Sequence, residues 1–295
     1  MNRGIIQAFT ASGASRICTF QMNNFERPTL SGDMIAVKYV QKGEVGFELN
    51  KRQNEILQQQ YFLVDRGSDN AAFISAAQPA EGLCIFIDNQ VISDIFFTIT
   101  HKDEDSLSDP DAFRNASLDI VEGLYNASDD IFSNSLKQLS IKSSFNNGLL
   151  GEFSEEDFYV LVKHLVHQQQ HIYHLVQRVA AKKSLVRKEN FRRVQQARNY
   201  IHDNLGETLG IEELAKIANM SPFHFMRSFK RIYKMPAYQY IIEQRLQWAL
   251  QLLLQRKLTM TEIARSTGFE DIFTFSKAFK KRFGVAPSFF STNKE

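Results

Sequence analysis

The sequence predicts a multidomain α+β protein, in which an N-terminal β-barrel with attached helices precedes an all-helical C-terminal domain. Three observations lead to this prediction: the length, an uneven distribution of charge, and a change from strand-like to helical periodicity after residue 111. The chain has 295 residues, of which 43% are hydrophobic, and one domain usually holds about 100–200 residues. We expect a first domain over 1–181 and a second over 190–291.

The two parts of the chain carry opposite net charge. Residues 1–181 contain 14 Lys and Arg against 23 Asp and Glu, whereas 182–295 contain 21 against 10, a net −9 and +11 within the overall +2. A basic domain is attracted to a polyanion, and an acidic one is not. Two ordinary domains with uneven surface charge would give the same totals, so the motifs have to decide between these interpretations.

Short apolar runs at roughly ten-residue spacing predict strands between about 30 and 100. Alternation is clear in IAVKYV (35–40) and VGFEL (45–49), and such a series favours a barrel or sandwich. The first 30 residues show no clear period and are expected to form an irregular arm. After the acidic connector KDEDSLSDPD (102–111), we expect helices over about 112–181. Five aromatic residues either line a ligand pocket or fill the core: Tyr39, Phe47, Tyr61, Phe73 and Phe86.

The clearest helix of the first domain begins at Ser154, which forms a predicted capping box with Asp157. Its apolar stripe would pack on the barrel or on a second copy of the chain; it comprises Phe158, Leu161, Val162, Leu165, Ile172, Val176 and Val179. The same helix carries His164, His167, His171 and His174. These imidazoles form either a metal-binding or pH-sensing face, or an ordinary solvated polar face.

The C-terminal part contains an internal repeat. Leu214-Ala215 matches Ile263-Ala264 at an offset of 49, and Phe223 and Arg227 match Phe273 and Lys277 at an offset of 50. Each copy reads as a short helix, a tight turn and a second helix, which is a helix-turn-helix. We place these motifs at about 209–231 and 258–282.

Each second helix of the repeat divides into two faces. Phenylalanines spaced i and i+4 (225 and 229, 275 and 279) are expected to pack inward, while basic and small polar residues point outward. A DNA recognition helix requires this division, because its front meets phosphates and base edges. The long helix predicted over 236–255 would separate the two copies by about 30 Å, close to the roughly 34 Å of one DNA turn.

Several dense motifs of this region resemble the AraC/XylS family of bacterial transcription regulators. They are IEELAKIANMSPFHFMRSFKRIYK, RLQWALQLL and TEIARSTGFEDIFTFSKAFKKRFGVAP, within about residues 190–290, a third of the chain. The resemblance implies base-facing positions at Phe223, Met226 and Arg227 in the first recognition helix. In the second it implies Ile272, Phe273, Ser276 and Lys277. The remaining DNA-binding positions predicted are basic: Lys230, Arg231, Lys280 and Lys281.

Two features depart from the family pattern. Ile272 and Phe273 stand where polar residues are frequent, so they either meet thymine methyl groups or pack within the domain and read nothing. The closing segment PSFFS lacks the usual Tyr-Arg ending. Full-length relatives often carry a cupin-like barrel that binds an effector and helices that dimerise, which implies the same layout here.

The sequence therefore predicts a sequence-specific DNA-binding regulator, an activator controlled through its N-terminal domain, and no enzyme. Its expected partners are double-stranded DNA, RNA polymerase, a small-molecule effector and a second copy of the chain. No cofactor, metal or membrane is expected, and two cysteines without a CxxC motif fit the cytoplasm. The alternatives are a cupin-type enzyme, a DNA-repair or ligand-binding protein that shares the DNA-binding module, and a nucleoid protein without sequence preference.

Overall fold

The computed structural model describes residues 5–10, 14–30, 34–49, 52–67, 70–100, 118–127, 130–144 and 153–290. It divides the chain into two compact units, Met1–His174 and Leu175–Glu295. None of the described helices is long and apolar enough to cross a membrane. The predicted acidic connector at 102–111 lies outside the described residues.

The first unit is built on one antiparallel sheet of eight strands. The strands are β1 (Ile5–Thr10), β2 (Arg16–Leu30), β3 (Met34–Lys42), β4 (Val45–Leu49), β5 (Arg52–Ile56), β6 (Gln60–Val64), β7 (Asn70–Asp88) and β8 (Gly123–Asn126). Their order is β1-β2-β7-β3-β6-β8, with β4 paired to β5 and to β7. Pairing among the described residues leaves this sheet open, so the cupin-like barrel stays a prediction.

Strand β7 organises the sheet, because it pairs with β2, β3 and β4 along its 19 residues. Gly82 on β7 is paired with Val40 of β3. A Cβ at this position would lie 2.0 Å from the carbonyl oxygen of Tyr39 and 2.8 Å from the ring of Phe20. Only glycine therefore allows β3 and the flanking ring to approach β7 this closely.

The aromatic residues of the first unit pack as a core. Tyr39, Phe47 and Tyr61 are at most 1% exposed, and the ring of Tyr61 stacks on Tyr125 at 5.3 Å between centroids. Phe86 is half-buried and packs against the apolar cluster around Phe47. The side chain of Phe73 lies outside the described set. Core filling therefore accounts for the four aromatic side chains that the structure describes.

Three element predictions for the first unit were wrong. The segment expected to be an irregular arm contains β1 and β2, and the region expected to hold only strands ends in helix α1 (Asn89–Thr100). Strand β8 lies inside the stretch expected to be helical. It depends on pairing with β6, where the Gln60 side chain donates to the Asn126 amide oxygen at 3.0 Å. Such a four-residue strand has no local sequence signal because its partner is about 60 residues away.

The described residues of this part of the chain also form helices α2 (Ile131–Ser144) and α3 (Glu155–Gln177). The predicted capping box is present, since the Asp157 N–H donates to the Ser154 hydroxyl at 3.1 Å and the Ser154 N–H donates to the Asp157 carboxylate at 2.9 Å. All seven residues of the apolar stripe are less than 10% exposed within the single chain. Leu165 and Ile172 therefore cannot form a free dimer surface, and the stripe packs within the chain.

Side-chain hydrogen bonds show what α3 packs against in the first unit. The hydroxyl of Tyr61 on β6 donates to Gln168 at 3.0 Å, and the buried Gln169 accepts from the Val121 N–H at 2.9 Å. The His164 ring lies 2.7 Å from the Ser135 hydroxyl on α2. Helix α3 is thus fixed to β6, to the segment before β8 and to α2.

The second unit consists of helices. They are α4 (Ser184–Asp203), α5 (Ile211–Ile217), α6 (Pro222–Tyr233), α7 (Ala237–Gln255), α8 (Met260–Ser266) and α9 (Ile272–Phe283), followed by a short 3₁₀ turn, Pro287–Phe290. The apolar cluster of its second half combines Leu246, Ala249 and Leu253 of α7 with Ile263, Phe275 and Phe279 of α8 and α9.

Shortening one buried side chain of α3 tests how this helix packs. We expect Leu165→Ala to destabilise the first unit by about 2–5 kcal/mol, because Leu165 is fully buried and truncation leaves a cavity. Tyr159→Ala on the same helix should change stability by less than about 0.5 kcal/mol, since Tyr159 is 47% exposed. Hydrogen exchange of peptides from α3 measures both. Unchanged exchange in Leu165→Ala would contradict the packing described here.

Candidate nucleic-acid interface

The first helix-turn-helix is formed by α5 and α6. Its turn is closed by the Met220 N–H, which donates to the Ala215 carbonyl at 2.9 Å, and Asn219 adopts the left-handed conformation there (φ 49°). Ser221 then caps α6 by accepting from the His224 N–H at 3.4 Å, and Pro222 takes the first helical position. Asparagine tolerates that φ, and proline lacks only a donor that would have no partner inside the helix.

The second helix-turn-helix, α8 and α9, repeats this construction. Its turn is closed by the Phe269 N–H, which donates to the Ala264 carbonyl at 2.9 Å, with Gly268 at φ 77° in the place of Asn219. Asp271 caps α9 and accepts from the Phe273 and Thr274 N–H groups at 2.7 and 2.8 Å. The Asp271 carboxylate accepts hydrogen bonds from the Thr274 N–H and hydroxyl and from the Phe273 N–H, and these bonds hold the pKa of Asp271 below its usual value.

The predicted apolar backs of the two recognition helices are confirmed. The phenylalanines at 225, 229, 275 and 279 are all 0% exposed, and the rings within each pair lie 5.6 Å apart. Burying a ring of this size stabilises the unit by about 2–3 kcal/mol. This packing fixes which face of α6 and of α9 remains outside.

A second set of contacts joins α6 to α7, and α7 to α4, around Tyr240. The Phe229 ring lies 4.7 Å from that of Tyr233 and 5.4 Å from that of Tyr240. Arg198 Nε donates to the Tyr240 hydroxyl at 2.7 Å, and His202 Nε2 lies 2.8 Å from the same oxygen. The Tyr240 hydroxyl can then donate its own proton to His202 Nε2 only if that imidazole is neutral. Burial, with the nearby Arg198 charge, lowers the pKa of His202 to about 3.

Arg245 on α7 joins the two halves of the unit. Its guanidinium donates to the carbonyls of Leu205 at 2.8 Å, Gly268 at 2.6 Å and Glu207 at 2.5 Å, and the residue is only 9% exposed. A Cβ on Gly268 would lie 2.6 Å from the Arg245 Cζ, so the turn of the second motif requires glycine for both space and conformation. Sequence analysis missed Arg245, because one arginine on a long helix resembles a surface residue.

The predicted DNA-reading residues lie on the outer face of the two recognition helices. Phe223 is 70% exposed, Met226 44% and Phe273 82%, while Ile272 and Ser276 are half-buried. All the basic ones are exposed: Arg227, Lys230, Arg231, Lys277, Lys280 and Lys281. Internal packing therefore cannot explain Phe273, and the roles of these residues in binding DNA stay a prediction.

Two contacts modify this surface. The Arg227 guanidinium carbon lies 5.5 Å from the centroid of the Phe223 ring, within reach of a cation–π contact. Arg282 Nε donates to both oxygens of Glu243 on α7, at 2.8 and 2.6 Å. This pairing lowers the pKa of Glu243 and orients the Arg282 guanidinium toward α7.

The histidines of α3 do not gather into a metal site. Burial lowers the pKa of His164, which contacts Ser135, while His167, His171 and His174 are exposed. Within the described ranges, no group of three or more His, Cys, Asp or Glu side chains could hold a metal ion. Cys18 and Cys84 are opposite one another in the antiparallel pairing of β2 and β7.

Comparison with known proteins supports the geometry of the second unit. Residues 214–293 match the helix-turn-helix domain family. The Msm operon regulatory protein of Streptococcus mutans is 36% identical over 97 residues, 33% of this chain and 35% of that protein. The lactose operon transcription activator of Staphylococcus xylosus is 30% identical over 95 residues, 32% and 34% of the two chains. AdaA of Bacillus subtilis, a bifunctional transcriptional activator and DNA repair enzyme, is 35% identical over 91 residues, 31% and 43%.

Among solved structures, the C-terminal domain of AraT, a response regulator from Geobacillus stearothermophilus, is 32% identical. The match covers 33% of this chain and 82% of the AraT domain chain, with a TM-score of 0.32. On the family match alone, residues 214–293 belong to the helix-turn-helix domains. More narrowly, they form an AraC-type domain, as in the transcriptional regulators to which they are similar. The matched segment spans about a third of the length of the first of these relatives.

Removing the Arg245 guanidinium tests its structural role. We expect Arg245→Met to destabilise the second unit by about 3 kcal/mol or more, because the side chain keeps its length while three carbonyls lose their donors. Gln251→Met, at an exposed position of α7, is the control and should stay within about 0.5 kcal/mol. Urea unfolding followed by the fluorescence of Trp248, the single tryptophan, measures both. Equal midpoints for Arg245→Met and the wild type would disprove this role.

The pKa of His202 predicts a pH dependence of stability. Its folded pKa of about 3 lies below the unfolded value of about 6.5. The unfolded state therefore binds the extra proton between these values, and the free energy of unfolding decreases as pH falls below about 6.5. The slope from this group approaches about 1.4 kcal/mol per pH unit.

Unfolding by urea between pH 7 and 5, followed at Trp248, measures this slope. His202→Gln should remove it, whereas His224→Gln at an exposed position should keep it. A slope that persists unchanged in His202→Gln would show that another group is responsible.

Proposed function

We propose that this protein is a transcriptional regulator that binds a specific double-stranded DNA sequence with α6 and α9 and activates transcription. The observation that carries this proposal is the division of both helices into a fully buried aromatic back and an exposed front. Four basic side chains of that front (Lys230, Arg231, Lys280 and Lys281) can contact phosphates, and Arg227, Lys277 and the uncharged residues before them can contact base edges. A relative named as a transcription activator supports the direction of the effect.

The composition of the front supports sequence-specific binding rather than general coating of DNA. A protein that binds only phosphates needs a uniformly basic face. Here Phe223, Met226 and Ser276 precede the basic residues, toward the start of each helix. Phe223 and Met226 have no hydrogen-bond donor for a phosphate, so they would contribute through contacts with bases.

Helix α7 sets the spacing of the two recognition helices in this proposal. Its 19 residues span roughly 28 Å, and the Arg245 contacts tie it to the second turn. The two helices would then enter successive major-groove segments on one side of the duplex, whose period is about 34 Å. One protein chain would thus recognise two adjacent sites in tandem.

The N-terminal unit is proposed to regulate this DNA binding. We assign it a cupin-like role in binding a small-molecule effector, in dimerisation, or in both, and RNA polymerase is the proposed partner in activation. Because the α3 stripe is buried within the chain, a dimer would have to use another surface. The acidic charge of this unit makes it unsuited to DNA.

We propose no enzymatic activity. The alternative is an enzyme that shares the DNA-binding module, and the similarity to AdaA makes it the second candidate. A reactive cysteine is usually accessible and close to positive charge. Cys18 is 7% exposed, which opposes that chemistry at this thiol.

The decisive experiment compares two basic residues on the full-length protein. A binding site is first selected from random duplexes, and affinity is then measured by titration and footprinting. Arg227→Ala should weaken binding to the selected site by about 1–3 kcal/mol and relax one base position. Lys281→Ala should weaken binding to selected and random DNA alike and reduce the salt slope by about one. If Arg227→Ala reduced affinity equally for selected and random DNA, this result would contradict base readout by Arg227.

A further inference from the structure

Phe223 and Phe273 hold equivalent places in the two recognition helices. Each is the second residue of its helix, and the two are related by the 50-residue offset of the repeat. Phe223 is 70% exposed and Phe273 82%, whereas the other phenylalanines in the first two turns of these helices are completely buried. The domain thus holds an apolar ring in water at the same place twice, although burial of such a ring is favourable.

The start of each helix holds these rings in place. The Phe273 N–H donates to the Asp271 carboxylate at 2.7 Å, and Phe223 follows Pro222, whose φ is restricted by its own ring. Both residues lie at the N-terminal end of a recognition helix, the part that contacts base edges in helix-turn-helix proteins. The backbone positions that carry the two rings are therefore fixed before any DNA binds.

A phenylalanine ring can recognise only one feature of a major groove by shape. It has no donor or acceptor for the base edges, and the apolar group on those edges is the C5 methyl of thymine. We infer that Phe223 and Phe273 contact thymine methyl groups, so that the preferred DNA carries thymine at two positions about 10 base pairs apart. This inference rests on the proposed function.

The neighbours of the two rings make the two sites different. The Arg227 guanidinium lies over the Phe223 ring, so the same spot offers an apolar surface and a bidentate donor that favours guanine. The matching residue beside Phe273 is Lys277, a single point charge. The first site is therefore a thymine next to a guanine, and the second is a thymine with a weaker preference for its neighbour.

Uracil replacement tests this inference on the full-length protein. The duplex selected from random sequences is remade with uracil in place of thymine, which removes only the methyl groups. Each contacted methyl should contribute about fourfold to affinity. Replacing thymine by uracil at either one of the two sites should therefore raise the dissociation constant about fourfold. Gel-shift titration at fixed salt measures both duplexes.

Two variants assign the effect to the rings. Phe273→Ala should bind the thymine and uracil forms of the second site equally, and Phe223→Ala should do so for the first site. Phe289→Ala, an exposed ring (67%) outside the recognition helices, should keep the full difference. Comparing each variant on each duplex also removes any effect of the methyl group on DNA shape, because such an effect would persist in the variants.

The outcomes separate the two proposals. Equal binding of both duplexes by the wild type, or an undiminished difference in both alanine variants, overturns the inference and leaves DNA binding intact. Failure to select any duplex that binds better than random DNA overturns the proposed function itself. The rings are exposed, so both variants should fold, which circular dichroism checks.

Discussion

The C-terminal domain depends on one buried cation. The guanidinium of Arg245 satisfies carbonyls from the loop after α4 and from the turn of the second helix-turn-helix. Its five donors in a fixed plane suit three acceptors that come from different directions, which a lysine ammonium could not match. The same planar group excludes any side chain at Gly268. The shape of the second turn, and with it the start of α9, thus follows from a residue on α7.

The two recognition helices gain their outward faces from what lies behind them. The buried phenylalanine pairs, and for α6 the rings of Tyr233 and Tyr240, leave no freedom for these helices to rotate about their axes. The exposed front is therefore a rigid surface whose chemistry can change without loss of packing. This separation explains how a duplicated unit keeps one architecture while Arg227 in one copy corresponds to Lys277 in the other.

Local patterns predicted the helical domain well and the sheet less well. Aromatic i, i+4 pairs, the Ser154 cap and the repeated turns are determined by neighbours in sequence, and all are present. Strand β2 has polar residues and a proline, and β8 is four residues long, so neither has a recognisable period. Helix α1 is rich in β-branched residues, yet buries Ile92 and Ile95 on one helical face. Strands β2 and β8 depend on partners distant in sequence, and so does Arg245, whose acceptor carbonyls lie 23 to 40 residues away.

The two recognition helices end differently. Both stop at a residue in the left-handed conformation, Lys234 at φ 62° and Gly284 at φ 79°. A side chain costs about 1 kcal/mol in this conformation and glycine does not, while a cation at the end of a helix recovers part of that cost. Fraying should therefore begin more readily at the C-terminal end of α6 than at that of α9. The first helix-turn-helix would then adapt to a DNA sequence that differs from its preferred one, and the second would tolerate less variation in the DNA sequence.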